Sequence, residues 1–112
     1  MSWLRELEAI PSVKRAVLTG MDGLVIEEVG YGGVEAQFLA AEMASFRRVM
    51  TPLTETLGES LRRYTIATDE HELLVVCFGD YCLGALIDRG GGQRALVGQA
   101  LSRLAAMLAE HL

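Results

Sequence analysis

The residues best equipped for chemistry in this 112-residue chain are two cysteines, two histidines and a set of arginines. Cys77 and Cys82 are separated by Phe78-Gly79-Asp80-Tyr81. Gly79-Asp80 suits a two-residue turn with glycine in its first central position, which would set Phe78 against Tyr81 and Cys77 opposite Cys82. Two cysteines do not make a disulfide framework. Such a pair either packs as small core thiols or works as a redox couple. His71 falls in a polar stretch and His111 one residue from the end, so neither is placed as a buried base. None of Ser2, Ser12, Ser45, Ser60 and Ser102 sits in a G-x-S-x-G context. No nucleophile has an activating partner, and the chain reads as a non-enzyme.

Ligand-holding motifs are equally weak. Asp69-Glu70-His71-Glu72 is a cluster of hard ligands, but consecutive residues of one turn do not converge on one ion, and a solvated acidic turn is expected. Gly30-Tyr31-Gly32-Gly33 and Gly90-Gly91-Gly92 each precede a helix, where anions are attracted. The first lacks the Lys-Ser/Thr of a phosphate-binding loop, and the second offers only Arg89 and Arg94. No metal, nucleotide or other cofactor is expected. Of the ten basic residues, Lys14 is the only lysine. Arginine keeps its use in a desolvated interface. Arg47-Arg48 could reach into a partner's active site as an arginine finger, or make solvated or intersubunit ion pairs.

Ten Lys+Arg against fifteen Asp+Glu give a net charge of −5. That surface repels phosphate backbones, so nucleic acid is not an expected partner. Half the residues are hydrophobic (51%), which excludes a disordered chain, and mean hydropathy is +0.28. No run approaches eighteen apolar residues, so no membrane insertion is expected. The start, Met1-Ser2-Trp3-Leu4-Arg5-Glu6, lacks the basic and apolar regions of a signal peptide, so a cytoplasmic location is expected. The abundance of apolar surface on so small a body asks for a partner to cover some of it.

These residues must be positioned by a single domain over residues 1–112. Ser2 reads as the N-cap of a short helix carrying Trp3, Leu4 and Leu7, closed by Pro11. Residues 13–19 alternate, with Val13, Arg15, Val17 and Thr19 on one face and Lys14, Ala16 and Leu18 on the other. Asp22-Gly23 turns the chain into a second strand, residues 24–29. Residues 34–57 read as one long helix, kinked by Pro52 and capped by Gly58. Strands follow at 62–68, at 73–78 after a polar turn over 69–72, and at 82–87, then a helix over 93–111. The order α-β-β-α-β-β-β-α, with hairpin connections, predicts an α+β fold: a three-layer α/β sandwich around a largely antiparallel sheet.

The long helix has more apolar surface than one sheet requires. At about 100° per residue, Leu39, Met43, Phe46, Met50 and Leu57 gather on one side. Val34, Phe38 and Val49 gather roughly 100° away, with Glu42 between. One stripe can pack on the sheet, and the other calls for a second copy. A single broad stripe filling a wide sheet is the monomeric alternative. The opposite face carries Ala40, Ala44, Arg47, Arg48 and Thr51, whose small members permit close approach. The strand after this helix is a candidate edge, and edges invite pairing. Isologous dimerisation is therefore expected.

The sequence resembles the roadblock/dynein light chain domain family, in particular its bacterial gliding-protein branch. The likeness is carried by Leu7-Glu8-Ala9-Ile10-Pro11-Ser12-Val13, Ala16-Val17-Leu18, Asp22-Gly23-Leu24-Val25-Ile26 and Phe38-Leu39-Ala40-Ala41-Glu42. It continues in Leu73-Leu74-Val75, Phe78-Gly79-Asp80 and Leu83-Gly84-Ala85-Leu86-Ile87-Asp88. The resemblance implies a five-stranded antiparallel sheet with one long helix on one face and two on the other. It implies a homodimer built through the third strand and the long helix, with Met43, Phe46, Val49, Met50, Arg63 and Thr65 at the interface. It further implies a non-catalytic regulator of a small Ras-like GTPase, acting by docking, with Ala40, Ala44, Arg47, Arg48 and Thr51 in partner contact. A structural adaptor or polarity scaffold of the same fold is the alternative. The chain departs from the family pattern at Pro52.

Overall fold

The computed structural model describes residues 3–31 and 33–112. The elements are α1 (Arg5–Glu8), β1 (Val13–Gly20), β2 (Val25–Gly30), α2 (Ala36–Val49), α3 (Thr51–Leu57), β3 (Arg63–Ala67), β4 (His71–Phe78), β5 (Tyr81–Asp88) and α4 (Arg94–Ala109). The five strands form one sheet in the order β2-β1-β5-β4-β3, with every neighbouring pair antiparallel. The fold class read from the sequence holds.

Alternation along the inner strands divides the core into two layers. Ala16, Leu18, Leu74, Leu83, Ala85 and Ile87 face α1 and α4, meeting Leu4, Leu7, Val97, Leu101, Leu104 and Leu108. Val17, Val75, Cys77 and Cys82 face α2, meeting Ala36, Leu39, Ala40 and Met43. Val13 breaks the expected alternation by joining Ala16 and Leu18 in the first layer. The cause is a register shift between Val13 and Arg15 in the β1–β5 pairing, a bulge that flips the start of the strand.

The helix expected over 34–57 is two helices. It starts at Ala36 and breaks at Met50, whose φ/ψ of −82°/−5° ends α2 and opens α3. Pro52 has no N–H for the Arg48 carbonyl, so it sits in the first turn of a new helix, where that donor is not required. Gly58 closes α3 at φ 68°, as its identity predicts. None of the side chains of α3 is buried.

The N-terminal helix is also shorter than expected. The Ser2 cap lies outside the described residues. Trp3 and Leu4 precede α1, and their N–H groups donate to the Glu27 carboxylate of β2 at 3.2 and 2.7 Å. The polar turn expected over 69–72 shrinks, because His71 and Glu72 pair in register with Asp88 and Ile87 as part of β4.

Candidate interaction site

The phase of α2 decides which residues the protein offers to a partner. Ala36, Leu39, Ala40, Met43 and Ala44 are its buried residues. This contradicts the expectation that Ala40 and Ala44 contact a partner and that Met43 lies in a dimer interface. Small size at Ala40 and Ala44 serves packing: α2 crosses the β1–β2 turn so closely that a Cβ on Gly23 would stand 3.4 Å from Ala41 Cα and 3.7 Å from Ala44 Cβ. Met43 lies flat over Gly84, where a Cβ would come within 2.8 Å of its terminal methyl.

The side turned away from the sheet is apolar. Phe38 and Val49 on α2, with Leu53 and Leu57 on α3, are 55–64% exposed, and Val34 lies at the same end as Phe38. Eleven residues separate Phe38 from Val49, about three turns, so the two fall within roughly 20° of each other around the axis. Four large apolar side chains at helical spacing, open to water, form a seam without a cover among the described residues.

Beside this seam runs an open sheet edge. β3 bonds only to β4 among the described residues. Cys77 N–H donates to Arg62 O at 2.7 Å, so the ladder continues through Tyr64–Val75 and Ile66–Leu73. The antiparallel alternation then turns the backbone groups of Arg63, Thr65 and Ala67 outward. Arg63 and Thr65 are exposed, as an interface role requires, though Arg63 Nη2 reaches back to Ser102 Oγ at 3.0 Å. Phe46 and Met50 are half-buried. The Phe46 ring lies 4.2 Å from that of Tyr64, whose hydroxyl donates to Met43 O at 3.2 Å. Burial pushes the Tyr64 phenol above its ordinary value, so this donor stays protonated. Phe46 therefore ties the helix to the edge strand, and of the six expected interface residues Val49, Arg63 and Thr65 present the most surface.

Arg47 and Arg48 are turn clamps. Arg47 Nη1 donates to Tyr81 O at 3.1 Å and Nη2 to Gly79 O at 2.5 Å, holding the β4–β5 turn. Arg48 Nη1 donates to Met21 O at 3.0 Å, holding the β1–β2 turn. Arg47 is thus withdrawn from the finger role considered for the pair. Arg48 and Thr51 are exposed at the end of α2, the remnant of the expected partner face.

The acidic turn and the glycine-rich loop before α4 do not converge on a ligand site among the described residues. Among the described residues no group of three His, Cys, Asp or Glu side chains could hold a metal ion. His71 Nε2 lies 3.8 Å from Asp88 and Glu72 is paired with Arg94 at 3.1 Å, so the acidic tetrad diverges. Arg89 ties its loop to the β3–β4 turn by bonds to Glu70 O and Thr68 O. Among the described residues no helix is long and apolar enough to cross a membrane.

The fold and the sequence agree on a family. The Roadblock/LC7 domain model matches residues 2–87, and the chain belongs to that family. Its fold is shared by a Roadblock/LC7 domain from Streptomyces avermitilis (23% identity, 99% of this chain and 96% of that one, TM-score 0.86). It is similar also to Myxococcus xanthus MglB (18% identity, 95% and 88% covered, TM-score 0.82). The gliding protein MglB of Thermus thermophilus is a third (20% identity, 98% and 87% covered, TM-score 0.81). No curated protein matches the sequence.

Proposed function

We propose that the protein is a homodimeric, non-catalytic regulator of a small Ras-like GTPase. The observation that carries the reading is the pairing of an apolar seam, Phe38, Val49, Leu53 and Leu57, with the outward backbone of β3. Two copies related by a two-fold axis would join their β3 edges into one ten-stranded sheet and lay α2–α3 against its counterpart. Thr65 and Arg63 contribute backbone to that junction, and Val49, Phe46 and Met50 line its helical side. Membership of the Roadblock/LC7 family and likeness to MglB structures support a regulatory role over a catalytic one.

The GTPase docks on the rim that remains after Ala40, Ala44 and Arg47 are withdrawn: Arg48 and Thr51, next to the β1–β2 turn. The test is capture of proteins from native lysate on the immobilised chain, with a GTP analogue or GDP added, read by mass spectrometry. Recovery of a Ras-like GTPase mainly in one nucleotide state supports the regulator. Capture of other proteins regardless of nucleotide favours the adaptor or scaffold.

A further inference from the structure

Cys77 and Cys82 play no part in that interface, yet they are arranged for a reaction. Their Sγ atoms lie 3.7 Å apart across β4 and β5, in the buried layer under α2. Phe78 and Tyr81 flank the turn, and Cys77 N–H points away from β5, to Arg62 O. Cys77 and Cys82 are therefore a non-hydrogen-bonded pair, the closer of the two antiparallel pair types. Such pairs hold their Cα atoms about 4.5 Å apart, inside the span of about 4.4–6.8 Å that a disulfide bridges. The sulfurs can meet by side-chain rotation with both strands in place.

Two further features separate this pair from simple packing. Arg47, while holding the turn, brings Nη1 to 3.8 Å from Cys82 Sγ. The Cys77 S–H and this guanidinium hold the Cys82 thiol below the ordinary cysteine range, while the hydrogen bond to Cys82 and burial push the Cys77 thiol up. The pair thus gives up its first proton readily and keeps its second. A cavity of about 340 Å³, lined by Arg47, Ser60, Leu61, Arg62, Cys77 and Phe78, also leads to Cys77 from the surface.

We infer that Cys77 and Cys82 are a redox-active dithiol, converted by a hydroperoxide entering through this cavity into a reversible cross-strand disulfide. The Cys82 thiolate, beside the Arg47 guanidinium, attacks one peroxide oxygen. The O–O bond breaks, the departing hydroxide takes up a proton from solvent as water, and Cys82 becomes a sulfenic acid. Cys77 sulfur, 3.7 Å away, then attacks Cys82 sulfur: the S–S bond forms, the S–O bond breaks, and the Cys77 proton leaves with the hydroxyl as a second water. Two thiols have lost two electrons and two protons to one hydrogen peroxide. A small dithiol returns the pair to its starting state by exchange.

The experiment treats the full, reduced chain with stoichiometric hydrogen peroxide and measures intact mass and alkylatable thiols. The inference predicts a loss of two hydrogens per chain, disappearance of both thiols without covalently linked chains, and restoration by dithiothreitol. Cys77→Ser and Cys82→Ser chains, checked for folding by circular dichroism, should show no two-hydrogen loss. The inference is overturned if both native thiols remain alkylatable, or if oxygen adducts or chain-to-chain disulfides form in place of the internal bond.

Discussion

The two edges of the sheet are built differently, and the difference shows where this protein is finished and where it is not. β2 carries Glu27 and Glu28, and both are engaged: Glu27 accepts the N–H groups of Trp3 and Leu4, and Glu28 pairs with Arg15 at 3.0 Å. Adjacent carboxylates also repel a second copy, so that edge is guarded. β3 reads Arg63-Tyr64-Thr65-Ile66-Ala67, and beyond Arg63 it carries no charge. The same contrast holds between the two faces. α4 buries Val97, Ala100, Leu101, Leu104, Ala105 and Leu108, whereas α3 buries nothing. The guarded edge and the buried stripe of α4 are engaged within the chain itself. The β3 edge and α2–α3 stripe leave a surface for another chain.

The strongest way to break this contrast is at the open edge. Thr65→Pro removes an outward N–H without costing a β3–β4 ladder bond, and a proline there blocks strand pairing across the edge. Sedimentation should show complete conversion to folded monomer. On the closed face the consequence is stability. Leu101→Ala leaves a cavity among fully buried side chains and should cost about 2–5 kcal/mol in urea unfolding with association intact. Leu53→Glu sharpens the distinction: association should weaken at least as much as for any single helical change, while the isolated fold shifts by no more than about 0.5 kcal/mol. Arg48→Ala removes one exposed charged hydrogen bond to Met21 O and should cost about 0.5–1 kcal/mol.

A further effect concerns pH. Between about 7 and 9.0 the native cysteine pair has released a proton that unfolded thiols still hold, so stability rises with pH in that window. Above the ordinary thiol value of 9.0 the unfolded chain sheds a second proton that native Cys77 retains, so stability falls again. Urea midpoints measured across this range should pass through a maximum, and Cys77→Ser should flatten it.

What the sequence made legible was local. Gly79-Asp80 dictates a tight turn, so the facing of Cys77 and Cys82 could be read from spacing alone, and Gly58 marked a helix end through its left-handed freedom. Helix phase was not legible. Alanine suits both a partner's close approach and a tight fit on the protein's own sheet, and only the position of the β1–β2 turn decides between them at Ala40 and Ala44. The roles of Arg47 and Arg48 were hidden for a related reason: their acceptors are carbonyls of Gly79, Tyr81 and Met21, and backbone carbonyls leave no mark in a sequence. The bulge after Val13 was likewise invisible, since no glycine announces it. Val34, Phe38 and Val49 stand apart as a second apolar stripe already in the sequence. Leu53 and Leu57 join them once the chain breaks at Met50 and re-phases the last turns, which an unbroken helix at about 100° per residue does not show.

The measurement that tests the central claim most directly is sedimentation equilibrium of the unmodified chain at micromolar concentration beside Thr65→Pro. The predicted result is twice the 12.2 kDa chain mass for the first and the single chain mass, with native circular dichroism, for the second. A monomeric unmodified chain, or a Thr65→Pro chain that still sediments as a dimer, would contradict the assignment of the β3 edge and the α2–α3 stripe as the seam.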